Sequence, residues 1–127
     1  MAMRMRKLEP QCNLSTVRDE RGGIFTFLPL DLPIVEFSFI FTAAGRTRGF
    51  HFHEEFDEYV LITEGHGVYV EKGSDGREYP LKMAAGECVH FPRTMPHTLY
   101  AITDVRMVAL LTKRWDDCDR PLVRIDD

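Results

Sequence analysis

Short apolar runs recur along this chain roughly every ten residues, and clusters of glycine, proline, aspartate and serine stand between them. The runs fall at residues 14–17, 24–28, 34–42, 49–53, 58–63, 67–71, 77–83, 88–91, 98–102 and 105–111. None carries a convincing 3.6-residue period, so the chain has little from which to build an amphipathic helix. The separators are turn formers: Asp19-Glu20-Arg21-Gly22-Gly23, Pro29 to Pro33, Ala44-Gly45, Gly73-Ser74-Asp75-Gly76 and Thr103-Asp104. The stretch VYVEKGSDGREYPL reads as a hairpin, with Gly73 and Gly76 supplying backbone freedom at its tip. About ten short strands without helices predict an all-β, antiparallel sandwich or barrel.

At 127 residues and 44 % hydrophobic, the chain suffices for one core, so residues 1–127 are expected to form a single domain. Residues 1–10, with Arg4, Arg6 and Lys7, read as a flexible, solvated N-terminus. The polar tail 113–127, KRWDDCDRPLVRIDD, is expected to wrap the outside or pack on a neighbouring subunit. Sixteen basic residues against twenty acidic ones give a net charge of −4, which argues against a nucleic-acid partner. No apolar run reaches the length of a membrane span, and residues 1–10 lack the apolar stretch of a secretion signal. Cys12, Cys88 and Cys118 are far apart and make no Cys-x-x-Cys pair, so a reducing cytoplasm is the expected compartment.

Chemistry concentrates at His51, His53, Glu58 and His97. Two histidines at i and i+2 on a strand share a face. If residues 54–57 turn, Glu58 returns beside them on the next strand, and His97 joins from a distant hairpin. Three imidazoles and a carboxylate suit a divalent transition metal (Zn, Fe, Mn, Ni or Co), with positions left for water or substrate. The alternative is a hydrogen-bonded polar cluster without metal. Arg48 either anchors an anionic substrate at the mouth of the site or is a solvated edge residue. His90 shares the parity of Cys88 and lines either the cavity or the outer face. Phe37, Phe39 and Phe41 alternate on one strand, as a barrel wall, an intersubunit face, or a platform for a sugar or base. His66 reads as an exposed turn residue. Tyr59 and Tyr100 oppose Glu58 and His97 in parity and should face away from them.

The spacing of these residues resembles the cupin superfamily. Its first motif, G-x5-H-x-H-x3–4-E-x6-G, is matched by Gly45, His51, His53, Glu58 and Gly65. Its second, G-x5-P-x-G-x2-H-x3-N, is matched by Gly86, Pro92 and His97, with Thr94 in place of the inner glycine and Ala101 in place of the asparagine. The resemblance spans residues 45–101. It implies a double-stranded β-helix, or jelly-roll barrel, with His51, His53, Glu58 and His97 as metal ligands. Asp19-Glu20-Arg21-Gly22, Pro33-Ile34 and Arg48-Gly49-Phe50-His51-Phe52-His53 are similar to small cupins acting on nucleotide-linked deoxysugars. Those are the dTDP-sugar 3,4-ketoisomerases and, more distantly, the dTDP-4-dehydrorhamnose 3,5-epimerases. The resemblance implies proton transfer beside a keto group of a sugar derivative. His51 or His53 would be the base if no metal is bound, and Arg48, Phe39 and His90 would be substrate contacts. Phe39 and Phe41 depart from the tyrosine and arginine those ketoisomerases carry on the preceding strand. The same four ligands would equally serve a metal-dependent dioxygenase or a non-enzymatic small-molecule-binding protein. A homodimer is also implied, formed through residues 14–17 or the phenylalanine-rich strand.

Overall fold

The computed structural model describes residues 3–11, 18–27 and 32–125. A short strand β1 (Arg6–Leu8) is followed by four two-residue pieces: β2 (Pro10–Gln11), β3 (Arg18–Asp19), β4 (Gly22–Gly23) and β5 (Thr26–Phe27). The barrel proper comprises β6 (Glu36–Thr42), β7 (Thr47–Phe52), β8 (Glu58–Glu64), β9 (His66–Lys72), β10 (Glu78–Ala84), β11 (Cys88–Phe91), β12 (His97–Ala101) and β13 (Val105–Leu111). A single 3-10 turn at Trp115–Asp117 precedes β14 (Val123–Arg124). Two five-stranded antiparallel sheets result, in the orders β1-β11-β8-β13-β6 and β10-β9-β12-β7-β14. The ten-residue rhythm predicted the antiparallel all-β architecture, and its jelly-roll form is the one the cupin resemblance implied. The expected run at 14–17 lies outside the described residues. No helix among the described residues is long and apolar enough to cross a membrane.

Alternation along the strands builds the core. Val60 and Ile62 of β8, Val89 and Phe91 of β11, and Met107 and Ala109 of β13 belong to one buried cluster with Tyr69 and Leu99 of the second sheet. A fully buried aliphatic or aromatic side chain contributes roughly 1.5–3 kcal/mol, so this interior dominates the stability of the fold. The opposite parity makes a smaller cluster of Leu8, Tyr59 and Cys88, against which Phe27, Ile34, Leu61 and Leu110 pack. Gly65, between β8 and β9, has φ of 86°, and a Cβ there would lie 1.9 Å from the Asp104 carbonyl oxygen. No other residue type fits that turn.

The N-terminus departs from the expected flexible arm. The backbone N–H groups of Arg4 and Met5 donate to Glu71 Oε1 at 2.7 and 2.8 Å. β1 then pairs with β11, and Met5 is buried within the main core. The cause is Glu71 itself: it is 1 % exposed, and a buried carboxylate must find donors. The N-terminal backbone supplies them, an interaction no hydropathy pattern could signal.

Candidate functional site

β7 carries the site, and an irregularity in it decides which side chains meet. Its register with β12 pairs His51 with His97 but Arg48 with Leu99, so three steps of β7 are spanned by two of β12. Such a bulge reverses the alternation locally. Arg48 and His51, three positions apart, therefore both line the same cavities. His53 follows the end of β7, where its carbonyl accepts the Thr94 N–H at 2.7 Å. Glu58 opens β8 with the inward parity of Val60 and Ile62, and His97 opens β12. Thr94 has φ of 65° at the place of the motif's inner glycine, so a threonine holds the left-handed turn that leads into His97.

Each histidine is oriented by a backbone carbonyl. Nδ1 of His51 donates to Gly49 O at 2.9 Å, Nδ1 of His97 to Met95 O at 3.0 Å, and Nδ1 of His53 to Pro121 O at 2.8 Å. A carbonyl only accepts, so it selects the tautomer with hydrogen on Nδ1 and leaves the Nε2 lone pair free. One ring nitrogen from each of the three lies within 4.8 Å of the others. Glu58 Oε1 lies 3.7 Å from His53 Nε2 and 3.6 Å from His97 Nε2. Donors that share an ion at about 2.1 Å each are separated by roughly 3–3.5 Å, so the set closes on an ion with small adjustments. His53 Nε2 is buried without any hydrogen-bond partner. An orphaned buried polar atom costs about 1–3 kcal/mol, and a metal on its lone pair removes that cost. His51, His53 and His97 thus fit a divalent metal, with Glu58 beside them rather than within the cluster of ring nitrogens.

Stacking and electrostatics reinforce the arrangement. His97 stacks on Phe91 at 4.2 Å between centroids, and His53 on Phe56 at 4.5 Å. Burial, followed by the neighbouring His97, lowers the His51 pKa to about 4, so this ring is neutral at physiological pH. Burial would also lower His53, but the adjacent Glu58 outweighs it and the His53 pKa is raised. Burial alone would raise Glu58, yet the pairing with His53 and His97 holds it well below the usual carboxylate range. The carboxylate is therefore ionised.

His97 lines a small cavity that also touches His51 and Glu58, and His51, His53 and Glu58 line a larger one of about 360 Å³. Three of its other walls come from the tail, through Trp115, Leu122 and Arg124. The tail straps across the site. β14 pairs with β7, placing Arg124 opposite His51 in register. Glu55 anchors the strap by accepting from the Arg120 N–H at 2.8 Å and from Lys113 Nζ at 3.0 Å. Trp115 meets His53 edge-on at 6.3 Å. These residues escaped the sequence reading because the tail is polar and aperiodic; a tryptophan and Leu122-Val123 after Pro121 were the signals available.

The remaining predicted residues divide. Arg48 joins the cavity, its Nε donating to Thr42 Oγ1 at 2.8 Å and its Nη2 to Phe41 O at 2.9 Å. His90 does not: it faces the outer side of its sheet, bonded through Nε2 to Asp57 Oδ2 at 2.8 Å and stacked on Tyr59. The inward positions of β11 belong to Val89 and Phe91. Phe39 also lies away from the site. It is 63 % exposed, because on β6 the even residues turn inward and Ile40 takes the cavity position. His66 and Tyr100 are exposed, and Tyr59 faces away from Glu58.

A family model for the cupin domain matches residues 38–113. Two curated relatives are acireductone dioxygenases. The one from Bacillus velezensis is 32 % identical over 60 residues, and the one from Geobacillus kaustophilus 36 % over 61. Each match takes in 47 % of this chain and 33 % of the relative, so the chain spans about a third of the length of these proteins. Among solved structures, the fold is similar to the TDP-quinovose 3,4-ketoisomerase of Campylobacter jejuni, with a TM-score of 0.77 and 13 % identity over 95 % of this chain and 92 % of that one. A 3,4-ketoisomerase of Thermoanaerobacterium thermosaccharolyticum, seen with TDP, gives 0.78 and 16 % over 98 % and 90 %. A 3'-monoepimerase of Streptomyces bikiniensis, seen with dTDP-quinovose, gives 0.75 and 17 % over 96 % and 68 %. At these identities the likeness is one of fold.

Proposed function

The chain belongs to the cupin domain family, and on that premise we propose that it is a metal-dependent isomerase or epimerase acting on a keto sugar or nucleotide sugar by proton transfer. The observation that carries this reading is the set of three Nδ1–H bonds, to Gly49, Met95 and Pro121, which leave three Nε2 lone pairs free, two of them within 3.7 Å of Glu58, beside an open cavity. His51, His53 and His97 hold the ion, with Glu58 alongside. When bound, a divalent Zn, Fe, Mn, Ni or Co ion supplies Lewis-acid polarisation of a substrate carbonyl. In an isomerisation Glu58, among the described residues the one carboxylate lining the cavity, accepts the proton from the hydroxyl-bearing carbon beside the carbonyl and delivers it to the former carbonyl carbon, while the hydroxyl proton passes to the former carbonyl oxygen. The histidines are excluded from that task once their lone pairs are committed to an ion. Arg48, held rigid by Thr42 and Phe41, faces the negative charge of the substrate.

Two measurements test the reading. Purified protein is expected to carry about one transition-metal ion per chain by elemental analysis. In heavy water it should exchange deuterium into TDP-4-keto-6-deoxyglucose or a related keto sugar. His53→Ala is expected to lose both metal and exchange; exchange that survives the loss of metal would sink the metal's role. A second reading, a metal-dependent dioxygenase, draws support from the acireductone dioxygenases matched over 47 % of the chain. Oxygen consumption without deuterium exchange would establish it instead. We further infer a homodimer built on the outer face of β6, where Phe37, Phe39 and Phe41 are exposed. The free thiols of Cys88 and Cys118 suit a cytoplasmic protein.

A further inference from the structure

Two guanidinium groups from distant parts of the chain line the cavity beside the histidines: Arg48 from β7 and Arg124 from β14. Arg124 lies beyond the segment that the cupin family model matches, residues 38–113. Arg48 donates to two neutral acceptors, the Thr42 hydroxyl and the Phe41 carbonyl, which fix the side chain without cancelling its charge. Arg124 makes no side-chain hydrogen bond or ion pair among the described residues. Of the other cations of the strap, Lys113 pairs with Glu55 at 3.0 Å and Arg120 with Glu54 at 3.7 Å, and Arg114 does not line the cavity. Among the described residues Glu58 is the sole carboxylate lining the cavity, and it sits against His53 and His97. In a chain with twenty acidic residues, two arginines thus share a concave site with no counter-charge of their own.

We propose that Arg48 and Arg124 form an oxyanion subsite that takes a phosphate group of the substrate, so that the strap selects phosphorylated substrates for the metal centre. The proposal rests on this cavity being the substrate site. Guanidinium groups present planar forks of N–H donors that match phosphate oxygens, and two of them balance a dianion. The pinned Arg48 is organised before the ligand arrives, and Arg124, exposed on a short edge strand, is free to close on it.

Trp115 is the chain's single tryptophan and lines the same cavity, so its fluorescence reports occupancy. Titration of the metal-loaded protein with pyrophosphate is expected to give a saturable change that weakens as salt is raised. Arg124→Ala and Arg48→Ala should each weaken binding about tenfold or more, the loss typical of a charged hydrogen bond. Arg124→Lys should fall between them and the wild type, because it keeps the charge and loses the fork. Stripping the metal with a chelator should leave the affinity within about twofold, since the subsite does not need the ion. An unchanged affinity in Arg124→Ala overturns the proposal. So does a response that vanishes with the metal, which would place the anion on the ion, or malonate binding as tightly as pyrophosphate, which would make the subsite one for carboxylates. None of these readouts needs turnover. Phosphate binding that follows Arg124 in a protein showing no deuterium exchange would uphold the subsite while removing the isomerase reading.

Discussion

Thr94 sits in the left-handed region, with φ of 65°, where the cupin motif carries a glycine. A β-branched side chain avoids that conformation at a cost of roughly 1–2 kcal/mol. Glycine removes the strain but gives back about 0.5–1 kcal/mol through a more flexible unfolded chain. Thr94→Gly should therefore stabilise the fold by somewhat under about 1 kcal/mol, a rise of a few degrees in thermal melting. Glu71 is expected to behave in the opposite sense. Glu71→Ala strands the Arg4 and Met5 N–H groups and opens a void, and should cost about 2–4 kcal/mol by urea denaturation, with faster amide exchange along β1. The clustering of His51, His53, Glu58 and His97 was legible in sequence because their spacing is a property of side-chain types along a strand and its turn. The carbonyls of Gly49, Met95 and Pro121 that orient the rings were not, since any residue but the right one in space offers the same backbone oxygen.

The ten-residue rhythm located the strands, because a half-buried strand writes its two-residue period into the sequence. Strict alternation failed at β7, where the bulge brings Arg48 inward together with His51. It failed for the strap in another way: β14 is two residues long, too short to show any period. Parity correctly turned Tyr59 and Tyr100 away from the ligands, whereas His90 and Phe39 were open to either face until packing resolved them. Removing residues 113–127 tests the strap as an element. The barrel strands do not depend on it, but His53 loses the carbonyl that fixes its tautomer. Metal affinity should then fall by about 10–100-fold, measured by competition with a chromophoric chelator, while the far-ultraviolet β signal persists.

β6 closes one sheet and, among the described residues, pairs only with β13, which leaves its outer edge open there. Its outward side chains include Phe37 at 74 % exposure and Phe41 at 43 %. An open, apolar edge invites pairing, and a two-fold contact satisfies it once and then stops. The protein is expected to sediment as a dimer at micromolar concentration, and Phe39→Glu should shift it to monomer with little change in melting temperature, since the side chain is exposed within one chain. A dimer that persists in Phe39→Glu would move the contact elsewhere. The long-range pairings also set a time order. His51 and His97 take their orienting carbonyls from two residues upstream, whereas His53 waits for Pro121, 68 residues downstream. A refolding chain can align two rings as soon as their own turns close, and the third only after the strap has docked. On the ribosome, three histidines exist long before three aligned nitrogens do, because the carbonyl that orders the last ring is among the last residues made.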